Sequence, residues 1–173
     1  MMDAIQELRV RAEILHKRIA ANDDAAVARL RALPAFRRAG EVRRRDCLTV
    51  IAAELGFPNW PEAKRTLTAE GDLADFGDLL CPPRIGGGHI NRWFARYEQA
   101  AAVREACRGY LLAYRRQFLV VDRYYIEDLG LNPEDADWDA LGFDWVRPAA
   151  PAARVRLYAK LIAALPRDPG SKQ

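Results

Sequence analysis

Two adjacent arginines set between aromatic residues, Tyr114-Arg115-Arg116-Gln117-Phe118, are the part of this chain best suited to hold a ligand. A guanidinium is planar and always charged, and its fork of donors matches a carboxylate or phosphate in a bidentate contact. Aromatic walls beside it would exclude water and strengthen that contact. Upstream stands Gly86-Gly87-Gly88-His89, whose free backbone N–H groups could approach an anion closely. Its spacing is neither that of a dinucleotide fingerprint nor that of a P-loop, so no nucleotide site follows from it. Gly87, Gly88, His89, Trp93, Tyr110, Arg115 and Arg116 are therefore the candidate ligand-binding residues, on the expectation that loop and strand converge. If the site were catalytic, His89 would be its acid or base.

Other chemistries lack parts. The chain has two histidines, and the segment around His89 offers neither a second histidine nor paired cysteines, so no metal centre or activated nucleophile is expected. His16 sits beside the apolar stripe of a helix and reads as structural. Asp135, Asp137 and Asp139 have the first three spacings of a calcium loop. Its glycine is replaced by Ala140 and its bidentate glutamate by Val146, which removes the basis for calcium binding. Cys47, Cys81 and Cys107 are odd in number and far apart, which suits reduced thiols better than a disulfide framework. No cofactor is expected, and the balance leans away from an enzyme.

The segment from Arg43 to Leu67 invites a different function. Leu48, Ile51, Ala52 and Leu55 form an apolar stripe at helical spacing, Asp46 can cap its start, and Gly56 can end it. Asn59 can cap a second helix with Pro61 in its first turn, on which Trp60, Ala63 and Leu67 share a face. Ala52 and Gly56 satisfy the turn of a helix-turn-helix. Glu62 stands where the second helix needs an apolar contact, and Pro61 where a reader side chain belongs, so sequence-specific DNA binding is not expected. Were the hairpin nonetheless a DNA reader, Arg43, Arg44, Arg45, Lys64 and Arg65 would carry it.

The same pattern, xDxLTVIAxELGFPxWPxxK, resembles a helical segment of uncharacterised bacterial proteins that often precedes ankyrin repeats, over about residues 5–67. What the resemblance implies is a cytoplasmic accessory or interaction module without an assigned activity. No ankyrin repeat follows here. Residues of about 82–165, with GGGHINRWFARY, GYLLAYRRQF and DWVRP, resemble a domain of uncharacterised bacterial proteins, which brings no chemistry with it.

With 173 residues the chain is long enough to bury most of its apolar surface in one domain or two small lobes. No apolar run reaches the roughly 18 residues of a membrane span, and the start lacks a secretion signal, so a cytoplasmic protein is expected. Charge is unevenly placed. Residues 84–123 carry 8 basic and 3 acidic side chains, residues 124–146 carry 7 acidic and none basic, and residues 147–173 carry 6 basic and 1 acidic. Blocks of opposite sign should pair within the fold or between copies.

The elements that must position these residues follow from periodicity. Helices are expected over about 3–21, from the Asn22-Asp23-Asp24 cap to Pro34, and over the two helices of the 43–67 hairpin, with a short amphipathic piece at 72–80. Cys81-Pro82-Pro83 breaks the chain. Residues 90–97 match a helix at Ile90, Trp93, Phe94 and Tyr97 or an alternating strand, and the glycines before them favour the strand. A helix ending at Gly109 should follow, and then residues 110–121 as a strand, or bent pair of strands, covered on both faces. Short helices are expected near 124–129 and from Asn132-Pro133, and a last one opens at Pro151. The fold class is α+β and predominantly helical: a helical lobe over 1–80, an α+β lobe over 84–166 with a C-terminal helix, and a disordered tail over 167–173. The expected function is a non-catalytic binding or regulatory accessory protein taking a small anionic or peptide ligand in its C-terminal half. Another protein or a second copy of the chain are further partner classes, and the alternatives are a small enzyme on an anionic substrate and a DNA-binding regulator.

Overall fold

In the computed structural model, which describes residues 3–37, 40–70, 76–85 and 88–167, eight α-helices accompany a small antiparallel sheet. The fold is α+β and predominantly helical. Gly86, Gly87, residues 72–75 and the tail beyond Arg167 lie outside the described residues.

The first four helices are α1 (Ala4–Ala20), α2 (Asp24–Ala32), α3 (Arg44–Glu54) and α4 (Trp60–Leu67). Their ends are set by local chemistry. Asp3 accepts the Gln6 N–H and Asp23 the Ala26 N–H, each satisfying an orphan donor of a first turn. In α3 the acid sits inside the helix: Asp46 reaches back to the Arg43 N–H at 2.8 Å. Gly56 leaves α3 at φ +82°, and Asn59 accepts the Glu62 N–H at 2.9 Å to open α4. Phe57 between them is buried, whereas Trp60 is half-buried, because the first position of α4 still borders solvent. Residues 76–80, the described part of the amphipathic piece expected over 72–80, form turns rather than a helix.

Beyond Pro83 come β1 (Arg92–Phe94), α5 (Tyr97–Cys107), β2 (Tyr110–Tyr114), β3 (Gln117–Val121), α6 (Arg123–Leu129), α7 (Ala136–Leu141) and α8 (Pro151–Ala164). The sheet order is β1-β3-β2. Trp93 stands opposite Leu119 and Leu112 opposite Leu119, so one face carries Trp93, Leu119 and Leu112, and Leu112 and Leu119 enter the main core. On the other face Leu111 and Val120 pack with Ala100 of α5. Both faces are covered, as the run of apolar residues requires. Asn132 bonds the Glu134 N–H in a turn, and α7 starts four residues after Asn132, capped by Asp135.

The core crosses the Pro82-Pro83 break. Leu8 and Ile51 belong to the same apolar cluster as Leu112, Tyr125 and Leu157, and α1 packs against α8. Arg11 of α1, itself buried, donates to the carbonyls of Ile162, Leu165 and Pro166, satisfying the C-terminal end of α8. Glu7 balances its charge at 2.9 Å and takes a second guanidinium from Arg167. A run of edge-to-face and tilted rings, Tyr110, Trp138, Trp145 and Tyr158, ties β2 to α7 and α8.

Candidate functional site

The arginine doublet is the turn of a hairpin. Tyr114 pairs with Gln117, leaving Arg115 and Arg116 as a two-residue connection, and such a connection needs a positive φ. Arg115 supplies it at +50°. Its N–H donates to Gly77, its carbonyl accepts from Phe76, and its guanidinium grips Asp78 through Nε at 2.7 Å and Nη2 at 3.1 Å. The same guanidinium lies over the Tyr114 ring, and Trp93 meets that ring edge-on at 5.8 Å. Trp93 and Arg115 are thus brought to one place. Arg115 pairs there with Asp78, not with the acidic block of 124–146. Arg116 is exposed beside it.

The remaining candidates lie elsewhere. Tyr110 begins the strand that ends at Tyr114, so about 16 Å of extended chain separates it from Arg115. Its hydroxyl donates to the Pro133 carbonyl at 2.9 Å, and burial pushes its pKa up. His89 pairs through Nε2 with Asp128 at 2.8 Å and stands edge-on to Tyr125. Gly88 is exposed next to it. In the hairpin, Arg44 faces Glu13 at 3.7 Å, Arg45 faces Asp46 at 3.8 Å, Arg43 faces Glu41 at 4.0 Å and Arg65 bonds Glu62 at 2.7 Å, while Lys64 is exposed.

Two hollows compete for a ligand. One, of about 420 Å³, lies among Leu8, Ile51, Leu55, Leu79 and Leu165. It is the more apolar, and the arginines at its rim are committed: Arg11 to the α8 end, Arg29 to Glu54 at 2.8 Å, Arg84 to the carbonyls of Asp128 and Leu129. The other, of about 540 Å³, opens where α5 ends and β2 begins. That volume is typical of a small-molecule site. Arg92, Arg108 and Arg123 reach it, Tyr110 forms part of its wall, and neither His89 nor Arg115 lines it.

Charge decides between them. In the second hollow Arg123 bonds Glu134 at 3.2 Å, and Asp122 accepts the Tyr125 N–H as the cap of α6. The side chains of Arg92 and Arg108 have no ion-pair or hydrogen-bond partner among the described residues. Both residues line the hollow and are exposed, alongside Arg123, Asp122 and Glu134. Backbone geometry holds one of them: Arg108 caps α5 at φ +53°, a conformation that favours glycine. Gly109 follows with its Cα against β3, where an added Cβ would lie 2.8 Å from the Val121 carbonyl. The close approach brings the end of α5 down onto the strand that Arg92 flanks from the other side. Sequence reasoning passed over Arg92 and Arg108. The signal available was the excess of basic residues over 84–123; which of them share a hollow depends on the strand order.

The acidic block is spent within the fold. Asp137 binds Arg156 and Lys160, each at 2.6 Å, and Asp135 binds Lys160 while capping α7. Burial alone would raise the Asp137 carboxyl, but the Arg156 and Lys160 contacts outweigh it and hold the group below its usual range. No helix among the described residues is long and apolar enough to cross a membrane. Comparison of the chain with family models, with curated proteins and with solved structures found no match.

Proposed function

We propose that this is a non-catalytic binding or regulatory accessory protein whose C-terminal half takes an anionic ligand in the hollow at the end of α5. The observation that carries this reading is the pair Arg92 and Arg108, two charges without carboxylate partners beside a solvent-open hollow of about 540 Å³. Arg11, Arg29, Arg115 and Arg156, by contrast, are matched to carbonyls or acids. Leaving two guanidinium groups unmatched in one concave place costs nothing while water fills it, and favours any anion that displaces the water. The walls are built from β-strand and helix end, so the contacts are pre-organised. Free Cys47, Cys81 and Cys107 suit a reducing compartment, and we place the protein in the cytoplasm on that ground.

Isothermal calorimetry with inorganic phosphate, pyrophosphate and citrate tests the reading. Saturable binding of at least one is expected, weakened by about one to two decades when Arg92 and Arg108 are both replaced by methionine. Equal binding by the double variant, or no saturable binding of any of the three, removes the site.

A further inference from the structure

The two edges of the sheet are treated differently. Because Tyr114 and Gln117 flank a two-residue turn, they form a hydrogen-bonded pair, and alternation makes Leu112–Leu119 and Tyr110–Val121 hydrogen-bonded too. Phe118 and Val120 then turn their backbone groups toward β1, where Phe94 and Arg92 meet them. Trp93 lies between, so its N–H and C=O point away from the sheet. On the opposite edge the outward groups of Leu111 are covered. Leu111 donates to the Phe143 carbonyl and accepts from the Trp145 N–H, both at 2.9 Å, and the Gly77 and Phe76 backbone closes on Arg115. Trp93 has no backbone partner beyond β1 among the described residues.

The side chains around this open edge have a definite character. Ile90 is 94% exposed and Trp93 46% exposed, unusual for large apolar residues in a chain that buries Trp138 and Trp145 fully. Residues 84–97 carry three arginines and no carboxylate. Arg92 lies on the face of β1 that borders the hollow.

We propose that the outer edge of β1 receives an extended acidic peptide segment as a fourth strand, whose carboxylates reach Arg92 and, in the hollow, Arg108. This rests on the anionic-ligand reading above and names the ligand class. A residue directly opposite Arg92 on an added strand falls on the same face with Cβ atoms about 5 Å apart, within reach of a guanidinium. Backbone pairing at Trp93 supplies the register, and Ile90 and Trp93 lose exposed apolar surface when the strand is added. A second copy of the chain is the poorer occupant, because it would set arginines against arginines, and a three-residue edge flanked by charge resists self-pairing.

The probe is a fluorescein-labelled, end-blocked octapeptide of alternating valine and glutamate, followed by polarisation. Saturable binding to the full chain is expected. It should fall about tenfold or more with Arg92→Met, whose fold circular dichroism checks, and by a similar factor when alternate peptide amides are N-methylated. A valine–lysine octapeptide should not bind. Binding that survives N-methylation overturns strand addition, as does an oligothymidylate that binds when the acidic peptide does not. If citrate or phosphate binds while the peptide fails, this proposal alone falls; if neither binds, the anionic site falls with it.

Discussion

Arg108 holds a position where glycine would be more comfortable, and that tension makes it informative. Glycine is favoured over arginine at φ +53° by about 0.5–1 kcal/mol net, the roughly 1–2 kcal/mol left-handed penalty less glycine's extra unfolded-chain entropy. Arg108→Gly is therefore expected to raise stability by about that amount while weakening anion binding, a split that denaturation and calorimetry on one variant would read together. A merely structural arginine would move the two in the same direction. Gly109→Ala should act oppositely, since its Cβ would press on the Val121 carbonyl and the Val120 side chain and force the α5 end off β3. At this scale the sequence was partly legible. That some arginine near the aromatic residues could bind an anion followed from residue type. Which arginine is free did not: Arg115 is neutralised by Asp78, 37 positions earlier, and Arg92 is left over because of where β1 joins the sheet.

Elements were easier to read than sites, because their ends are decided by near neighbours. Asp46, Gly56 and Asn59 act within three or four residues, so their roles were visible before any tertiary contact was known. The same holds for the helix opening at Pro151 and for the strand pair at 110–121. At 76–80 the apolar residues Phe76, Leu79 and Leu80 are buried by turns, whose backbone at Phe76 and Gly77 closes on Arg115. Helical spacing over a few residues cannot be told from a folded-back turn. The α3–α4 hairpin yields a graded test. Phe57→Ala should cost about 3–5 kcal/mol, whereas Trp60→Ala, half-exposed, should cost clearly less, about 1–3 kcal/mol, in chemical denaturation. Gly56→Ala should be worse than its lost methylene-free space suggests, because a Cβ there would lie 2.6 Å from the Asp78 Cβ at a left-handed φ.

Across the whole molecule, charges of opposite sign meet within the fold, Asp135 and Asp137 with Arg156 and Lys160 of α8 and Glu7 with Arg11 and Arg167. For Glu7, burial alone would raise the carboxyl, but its two arginines outweigh this and lower it below the ordinary value. Depressed carboxylates stabilise the fold above their unfolded pKa, and that contribution disappears as pH falls through the folded values. Stability should thus decline below about pH 4.5, and Asp137→Asn should flatten the decline while costing about 1–2 kcal/mol at neutral pH, allowing for solvent around Arg156. Arg11→Met should cost more, about 3 kcal/mol or above, since it orphans three carbonyls and leaves Glu7 half-paired.

The clasp between Arg11 and the end of α8 joins positions 151 residues apart, and it sets a clock on synthesis. At about 5–20 residues per second, a ribosome needs roughly 8–30 s to make the stretch between them. During that interval α1, α2, α3 and α4 can form from their own caps, yet Leu8 and its neighbours wait without the surface that finally covers them. Nascent chains stalled before Pro151 should accordingly be the ones that chaperones hold and proteases cut, while chains released beyond Arg167 should escape both.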